Sequence, residues 1–354
     1  MALAAVLWVP ITLAVLAGLL VSSPISAAAQ SAGPEAPPAP KPAKRPEPSA
    51  RKQPAAPEAA RAARLSRINA VKSWGYQLAS LSIETAAASP YGLLVVDATT
   101  GLDTGKPFTR EQVERLKRAP DGSRRLVVSY LSIGEAEDYR PDYFSPEYLE
   151  EEAPDWLMKE NPQWKGNRLI RFCHEGWQKT ILGDENGRNV YSATEPSPLY
   201  RLIELGFDGV YLDRVDVYAE IEKECPNGAR RMVDFVARLG EHARKAEPNF
   251  MVILQNAEAL LDDPKMIETI DAVAKESLFY GENFGQSRNP AETTGYSLKQ
   301  LRRAKDAGRA VFVVDYVTDR QRNADAVRRI RDAGFVPYIG PRDLAKLWLP
   351  GAQF

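Results

Sequence analysis

A (β/α)8 barrel, in which eight parallel strands are covered by helices, is the fold class that the sequence predicts, on three observations. Short β-branched and aromatic runs alternate with amphipathic helical stretches from about residue 65 onward. The strand-like runs are apolar almost without interruption, which is the pattern of strands buried on both faces, as parallel strands under helices are. Eight such runs, with a ninth in excess, favour a closed TIM barrel with one extra strand over an open sheet.

The chain of 354 residues opens on "MALAAVLWVPITLAVLAGLLVSSPISAAAQ". This apolar run ends in small residues with an A-x-A pattern at Ala27 to Ala29, so residues 1–29 read as an export signal or, uncleaved, as a membrane anchor. Residues 30–64 are rich in Pro, Ala and Lys, a composition that buries no core, and read as a disordered, extended linker. The barrel domain is then expected over 65–354, exported to the periplasm, cell surface or medium and acting as a monomer.

Within the domain the strand candidates are "WGYQLAS" from Trp74, "YGLLVVDAT" from Tyr91, "RLVVSYLSIGEAE" from Arg125, "RLIRFC" from Arg168, "FDGVYLD" from Phe207, "FMVILQN" from Phe250, "AVAKESLFYG" from Ala272 and "AVFVVDYV" from Ala310. A further run, "GFVPYIG", lies near the end. Stretches such as "TREQVERLKRA", "RRMVDFVARLGEHARKAEP" and "ADAVRRIRDAG" repeat apolar residues at helical spacing and fill the gaps.

Active sites of such barrels lie at the C-terminal ends of the strands. Asp97, Glu135, Asp213, Asn256, Glu276 and Asp315 all fall there. Polar groups at the ends of buried strands are costly unless paired or functional. Cleavage of a glycosidic bond needs two carboxyl groups, one protonated and one ionised, and strand ends across a barrel mouth supply them. Aromatic residues near the same ends, among them Tyr130, Tyr139, Trp164 and Tyr316, suit the apolar faces of sugars.

Other chemistries find less support. With 46 basic against 47 acidic side chains, no global field favours nucleic acid. There is no G-x-S-x-G elbow, no phosphate-binding loop and no H-E-x-x-H helix. Two cysteines and two distant histidines offer no zinc spacing. Cys173 and Cys225 make either one disulfide or two separate thiols, and adjacent Cys173 and His174 would point to opposite faces of a strand. No cofactor is expected. A carboxylate site for a divalent cation stays open to Asp97, Glu135, Asp213 and Asp216, as does a barrel that binds glycan without cutting it.

Three segments, "SYLSIGEAEDYR", "GFDGVYLDRVDVY" and "AKESLFYG", resemble the glycoside hydrolase family 114 barrel, also found as the hydrolase domain of Pel polysaccharide enzymes. The likeness covers residues 72 to 345. Characterised members of that family are endo-α-1,4-polygalactosaminidases, so the resemblance implies an endo-acting glycosidase of an amino-sugar polysaccharide. It also implies Asp213 and Glu276 as the catalytic pair, with Asp213 as nucleophile or base and Glu276 as general acid, roles that are exchangeable on sequence alone. Asp97, Tyr130, Glu135, Asn256 and Tyr316 are implied to line the substrate cleft, with Asp216 beside them. Asp216 equally suits a helix cap or a partner for Arg214. Fungal members resemble "EPDNVD" and "NEE" where this chain has "YLDRVD" and "AKE", so Arg214 and Lys275 depart from the pattern and bear on sugar specificity.

Overall fold

The apolar runs become eight parallel strands in one sheet: β1 (Trp74–Tyr76), β2 (Leu93–Val96), β3 (Leu126–Ser132), β7 (Gly209–Asp213), β8 (Met251–Gln255), β9 (Ala272–Glu276), β10 (Ala310–Asp315) and β11 (Val336–Ile339). They are hydrogen-bonded in that order. The structure is a computed structural model and describes residues 57–99, 101–140, 153–190, 195–282 and 284–349. The N-terminal apolar segment and the linker up to residue 56 lie outside the described residues. The sheet is rolled into a nearly closed barrel, in which the Trp74 indole Nε1 donates to the Val336 carbonyl at 3.1 Å, joining β1 to β11.

Between β3 and β7 a separate antiparallel sheet of β4 (Glu135–Glu137), β5 (Leu157–Glu160) and β6 (Asn167–Ile170) stands beside the mouth in the order β4-β6-β5. This corrects the strand reading. "RLIRFC" contributes to β6, outside the barrel, and "GFVPYIG" supplies the eighth barrel strand. The physical reason is pairing: β6 hydrogen-bonds antiparallel to β4 and β5, whereas β11 continues the parallel ladder beside β10.

The helices are α1 (Pro57–Asn69), α2 (Ile83–Ala87), α3 (Arg110–Leu116), α4 (Glu175–Leu182), α5 (Pro198–Glu204), α6 (Gly228–Ala246), α7 (Pro264–Thr269), α8 (Ala291–Asp306) and α9 (Arg320–Asp332). Several begin on side-chain caps that satisfy free N–H groups, including Ser82, Thr109 with Gln112 in a capping box, Ser197, Asp263 and Asp319. Cys173 and Cys225 are joined by a disulfide that ties the end of the side sheet to the segment before α6.

The barrel interior is filled by rings. Trp74 lies 5.5 Å from Phe312, 5.7 Å from Tyr338 and 6.4 Å from Tyr211, and Tyr76 lies 5.1 Å from Tyr211. At the N-terminal end, two aspartates just ahead of strands replace missing ladder partners. Asp208 accepts from the Val127 amide at 3.0 Å and Asp271 from that of Val252 at 2.9 Å. Helix α1 neutralises both, with Arg67 2.8 Å from Asp208 and Arg64 2.9 Å from Asp271. The folded unit therefore takes in residues 57–64, which composition had assigned to the linker. Arg64, buried with Ala60 in this stretch, is tied to Asp271 207 residues away, a partner that a local reading does not see.

Arg64 and Asp271 are both buried, and without Arg64 the Asp271 carboxylate keeps Arg244 at 2.8 Å but loses one of its two cations. Arg64→Ala is expected to lower the unfolding free energy by about 2 kcal/mol, the loss of a buried charged hydrogen bond, read from chemical denaturation. An unchanged midpoint would show that α1 does not clasp the barrel.

Candidate active site

Along β7 and β9 burial is continuous until the last residues, where Asp213 and Glu276 emerge as partly exposed carboxylates. The two strands are separated only by β8, so both groups stand on the same arc of the mouth. Beneath them lie Tyr76 and Tyr211, fully buried, whose hydroxyls feel the charge of both carboxylates.

Each carboxylate is held by a phenol. Tyr130 on β3 donates to Asp213 Oδ2 at 2.8 Å, and Tyr316, just past β10, donates to Glu276 Oε1. Burial and the facing carboxylates hold both phenols well above their usual range, so they remain protonated donors. Asn256, at the end of β8, donates to Glu276 Oε2 at 3.1 Å and accepts from the Glu276 amide at 3.1 Å. Among the described residues no Lys or Arg lies within ion-pair distance of either carboxylate.

Burial pushes the Asp213 carboxyl up to about 7, and the charge on Glu276 adds to that push against the Tyr130 hydrogen bond. Below about 7 the Asp213 carboxyl therefore keeps its proton and can act as an acid in this mouth.

The backbone at these strand ends is strained. Arg214, Asn256, Ala257 and Ser277 follow β7, β8 and β9 with φ between 50° and 56°, a region that non-glycine residues seldom adopt. Gly134 makes one of these turns possible, because a Cβ there would lie 2.1 Å from the Arg214 carbonyl oxygen. The left-handed Arg214 sends its side chain away from Asp213 to Glu135 at 2.8 Å, Glu220 at 2.8 Å and Asp216 at 3.5 Å. Lys275 is likewise matched, 3.3 Å from Glu258. Both departures from the fungal pattern are thus compensated by neighbouring carboxylates.

Of the residues expected to line the cleft, Tyr130, Asn256 and Tyr316 meet the pair directly. Asp97 and Glu135 do not. Asp97 is buried and accepts from Arg140 Nη1 at 2.9 Å and from Thr99; burial would raise its carboxyl, and the Arg140 guanidinium holds it below the usual range. Glu135 is buried against Arg214, with Asn161 Nδ2 at 2.7 Å and Asn167 Nδ2 at 2.9 Å. Asp216 lies half exposed beside Arg214, the alternative already open to it. Asp315 is fully buried, accepting from the Phe279 amide at 3.3 Å, and burial pushes it up to about 7. The residues missed are Arg140 and Arg342. Arg140 closes the quoted "SYLSIGEAEDYR" segment and could have been found as the cation needed by its acids; nothing local marks Arg342.

A cavity of about 810 Å³ lies elsewhere, at the N-terminal end beside Arg67, Lys117, Arg125 and Asp208. Lys117 and Asp208 pair there at 3.3 Å, so its size reflects a gap between paired charges at the end of the barrel remote from the carboxylates.

A barrel with coupled carboxylates at the C-terminal ends of its strands has the architecture of a glycoside hydrolase. The family model for glycoside-hydrolase family GH114 matches residues 54–350, and the chain belongs to that family. An uncharacterized protein of Methanocaldococcus jannaschii is 34% identical over 288 residues, covering 76% of this chain and 75% of that one. One from Deinococcus radiodurans is 33% identical over 288 residues, covering 80% and 84%. Among solved structures, the glycoside hydrolase domain of PelA from Pseudomonas aeruginosa superposes with a TM-score of 0.59 at 19% identity, covering 78% of this chain and 97% of that one; it shares the fold.

An ionised Asp213 costs folding free energy. In the folded state its carboxyl keeps the proton up to about 7, while in the unfolded chain it ionises near an ordinary aspartate value. Its favourable contribution is therefore full at low pH and is lost as pH rises from about 4 to about 7. Relative to Asp213→Asn, the wild-type chain should lose about 2 kcal/mol of stability across that window, moderated by partial exposure. A stability difference that stays flat from acid to neutral pH, measured by denaturation, would contradict the raised carboxyl.

Proposed function

We propose that this glycoside hydrolase is an endo-acting enzyme of an amino-sugar polysaccharide, of the endo-α-1,4-polygalactosaminidase type, working outside the cytoplasm. The observation that carries the reading is the pair Asp213 and Glu276, each held by a tyrosine hydroxyl, with the Asp213 carboxyl pushed up to about 7 by burial and by the charge on Glu276. The protonated member delivers its proton to the glycosidic oxygen as the bond breaks. The ionised member attacks the anomeric carbon or takes a proton from the attacking water. Tyr130, Tyr316 and Asn256 orient the carboxyl oxygens for these steps.

Membership of GH114 supports the reaction class, and the half-exposed Asp216 and Glu220 beside the mouth suit the ammonium groups of a partly deacetylated chain. Export is supported by the N-terminal sequence and by the disulfide, a bond that persists in oxidising compartments. A barrel that binds without cutting would be favoured by a cation clamped on Glu276, and its described partners are instead Tyr316 and Asn256.

Incubation of the full chain with partly deacetylated galactosaminogalactan, with products read by mass, tests the proposal. Shortened oligosaccharides are expected, and Asp213→Asn and Glu276→Gln should each lower the rate by about 10³-fold. Since the reaction needs one proton on the pair, kcat/KM should fall as pH rises past about 7. Undiminished hydrolysis in either variant would remove that carboxyl from the reaction.

A further inference from the structure

Each tyrosine that holds a carboxylate carries an arginine over its ring. The Arg140 guanidinium lies 5.5 Å from the Tyr130 ring centre, and that of Arg342 lies 4.5 Å from Tyr316. Each arginine then meets a second ring, Tyr139 at 5.6 Å and Phe284 at 5.0 Å. One file thus runs from Asp213 through Tyr130 and Arg140 to Tyr139, the other from Glu276 through Tyr316 and Arg342 to Phe284. In the ring of eight strands β3 and β10 stand four apart, so the two files leave the pair on opposite sides of the mouth.

The inner rings of the files are buried, but Tyr139 is 50% and Phe284 57% exposed. Large rings left in water forgo the gain of burial, yet these two are fixed in place. The Tyr139 hydroxyl donates to Glu137 at 2.7 Å, and Arg140 beneath it is anchored by Asp97 and Glu137. Arg342 is anchored through donation to the Gly281 carbonyl at 2.9 Å and the Ser277 hydroxyl at 3.3 Å. A ring backed by a cation and otherwise open to solvent is preorganised to receive the apolar face of a sugar.

We propose that Tyr139 and Phe284 are the stacking platforms of two distal sugar subsites, one on each side of the carboxylate pair, which take rings of an extended amino-sugar chain. The proposal rests on the function given above for the pair. A chain seated on both platforms passes over the carboxylates, so the bond presented to them is an interior one. A fragment too short to reach either platform is held only at the centre.

Affinities of the full chain for galactosamine oligosaccharides, from disaccharide to octasaccharide, test this by calorimetry in the Glu276→Gln background, where turnover is suppressed. Tyr139→Ala and Phe284→Ala should each weaken the longest oligosaccharide roughly tenfold and leave the disaccharide unchanged. Tyr139→Phe and Phe284→Tyr should keep the affinity, which separates ring stacking from the Tyr139 hydrogen bond, and unchanged melting temperatures show that the fold is kept. Unaltered binding of the longest chain in both alanine variants, or equal weakening at every length, would overturn the platforms. Length-dependent binding without hydrolysis by the wild-type chain would overturn the glycosidase and leave the platforms standing. Absence of binding to any oligosaccharide would overturn the platforms whatever the hydrolysis assay shows.

Discussion

Electrostatic repulsion between Asp213 and Glu276, set above a floor of buried aromatic rings, is the constraint to which the rest of the mouth responds. Tyr76 and Tyr211 exclude water from below, so burial and the charge on Glu276 together push the Asp213 carboxyl up to about 7. A counter-charge would have quenched that property. The barrel supplies neutral donors instead, Tyr130, Tyr316 and Asn256, which orient the oxygens without neutralising them.

Charges one layer out are treated differently. Asp97 meets Arg140, Glu135 meets Arg214, and Glu258 meets Lys275, so each of these three acids has a cation within ion-pair distance. The same holds at the opposite end, where Asp208 and Asp271 are matched by α1. Asp315, buried at the end of β10, is the exception and is held by the Phe279 amide instead, while Asp213 and Glu276 at the mouth have no cation within ion-pair distance among the described residues. The left-handed turns after β7, β8 and β9 belong to this design: strain at Arg214 carries its guanidinium off toward Glu135, Asp216 and Glu220, leaving Asp213 unpaired.

Much of this was legible before the structure. Apolar runs such as "LLVV" and "AVFVVD" announce strands buried on both faces, strand-end logic places Asp213 and Glu276 among six polar rim residues, and the family resemblance picks these two out. The reading failed where burial is set by distant partners. Asp97 and Glu135 sit at strand ends as a catalytic acid would, yet they pair with Arg140 and Arg214, tens of residues away. "RLIRFC" has the composition of a barrel strand, and only its antiparallel pairing with β4 and β5 places it in the side sheet. Residues 57–64 share the linker's composition and fold because Asp271 waits at the far end of the barrel.

By itself, then, the sequence determined the barrel and the set of polar strand ends that holds Asp213 and Glu276, because strand periodicity and the residue at a strand's end are local properties of the chain. Tertiary structure alone decided which acids are neutralised, which phenols reach the pair, and that Tyr139 and Phe284 stand on opposite sides of it. Charge pairing and dielectric depend on through-space distances between groups far apart in the chain, and closure of the barrel sets those distances.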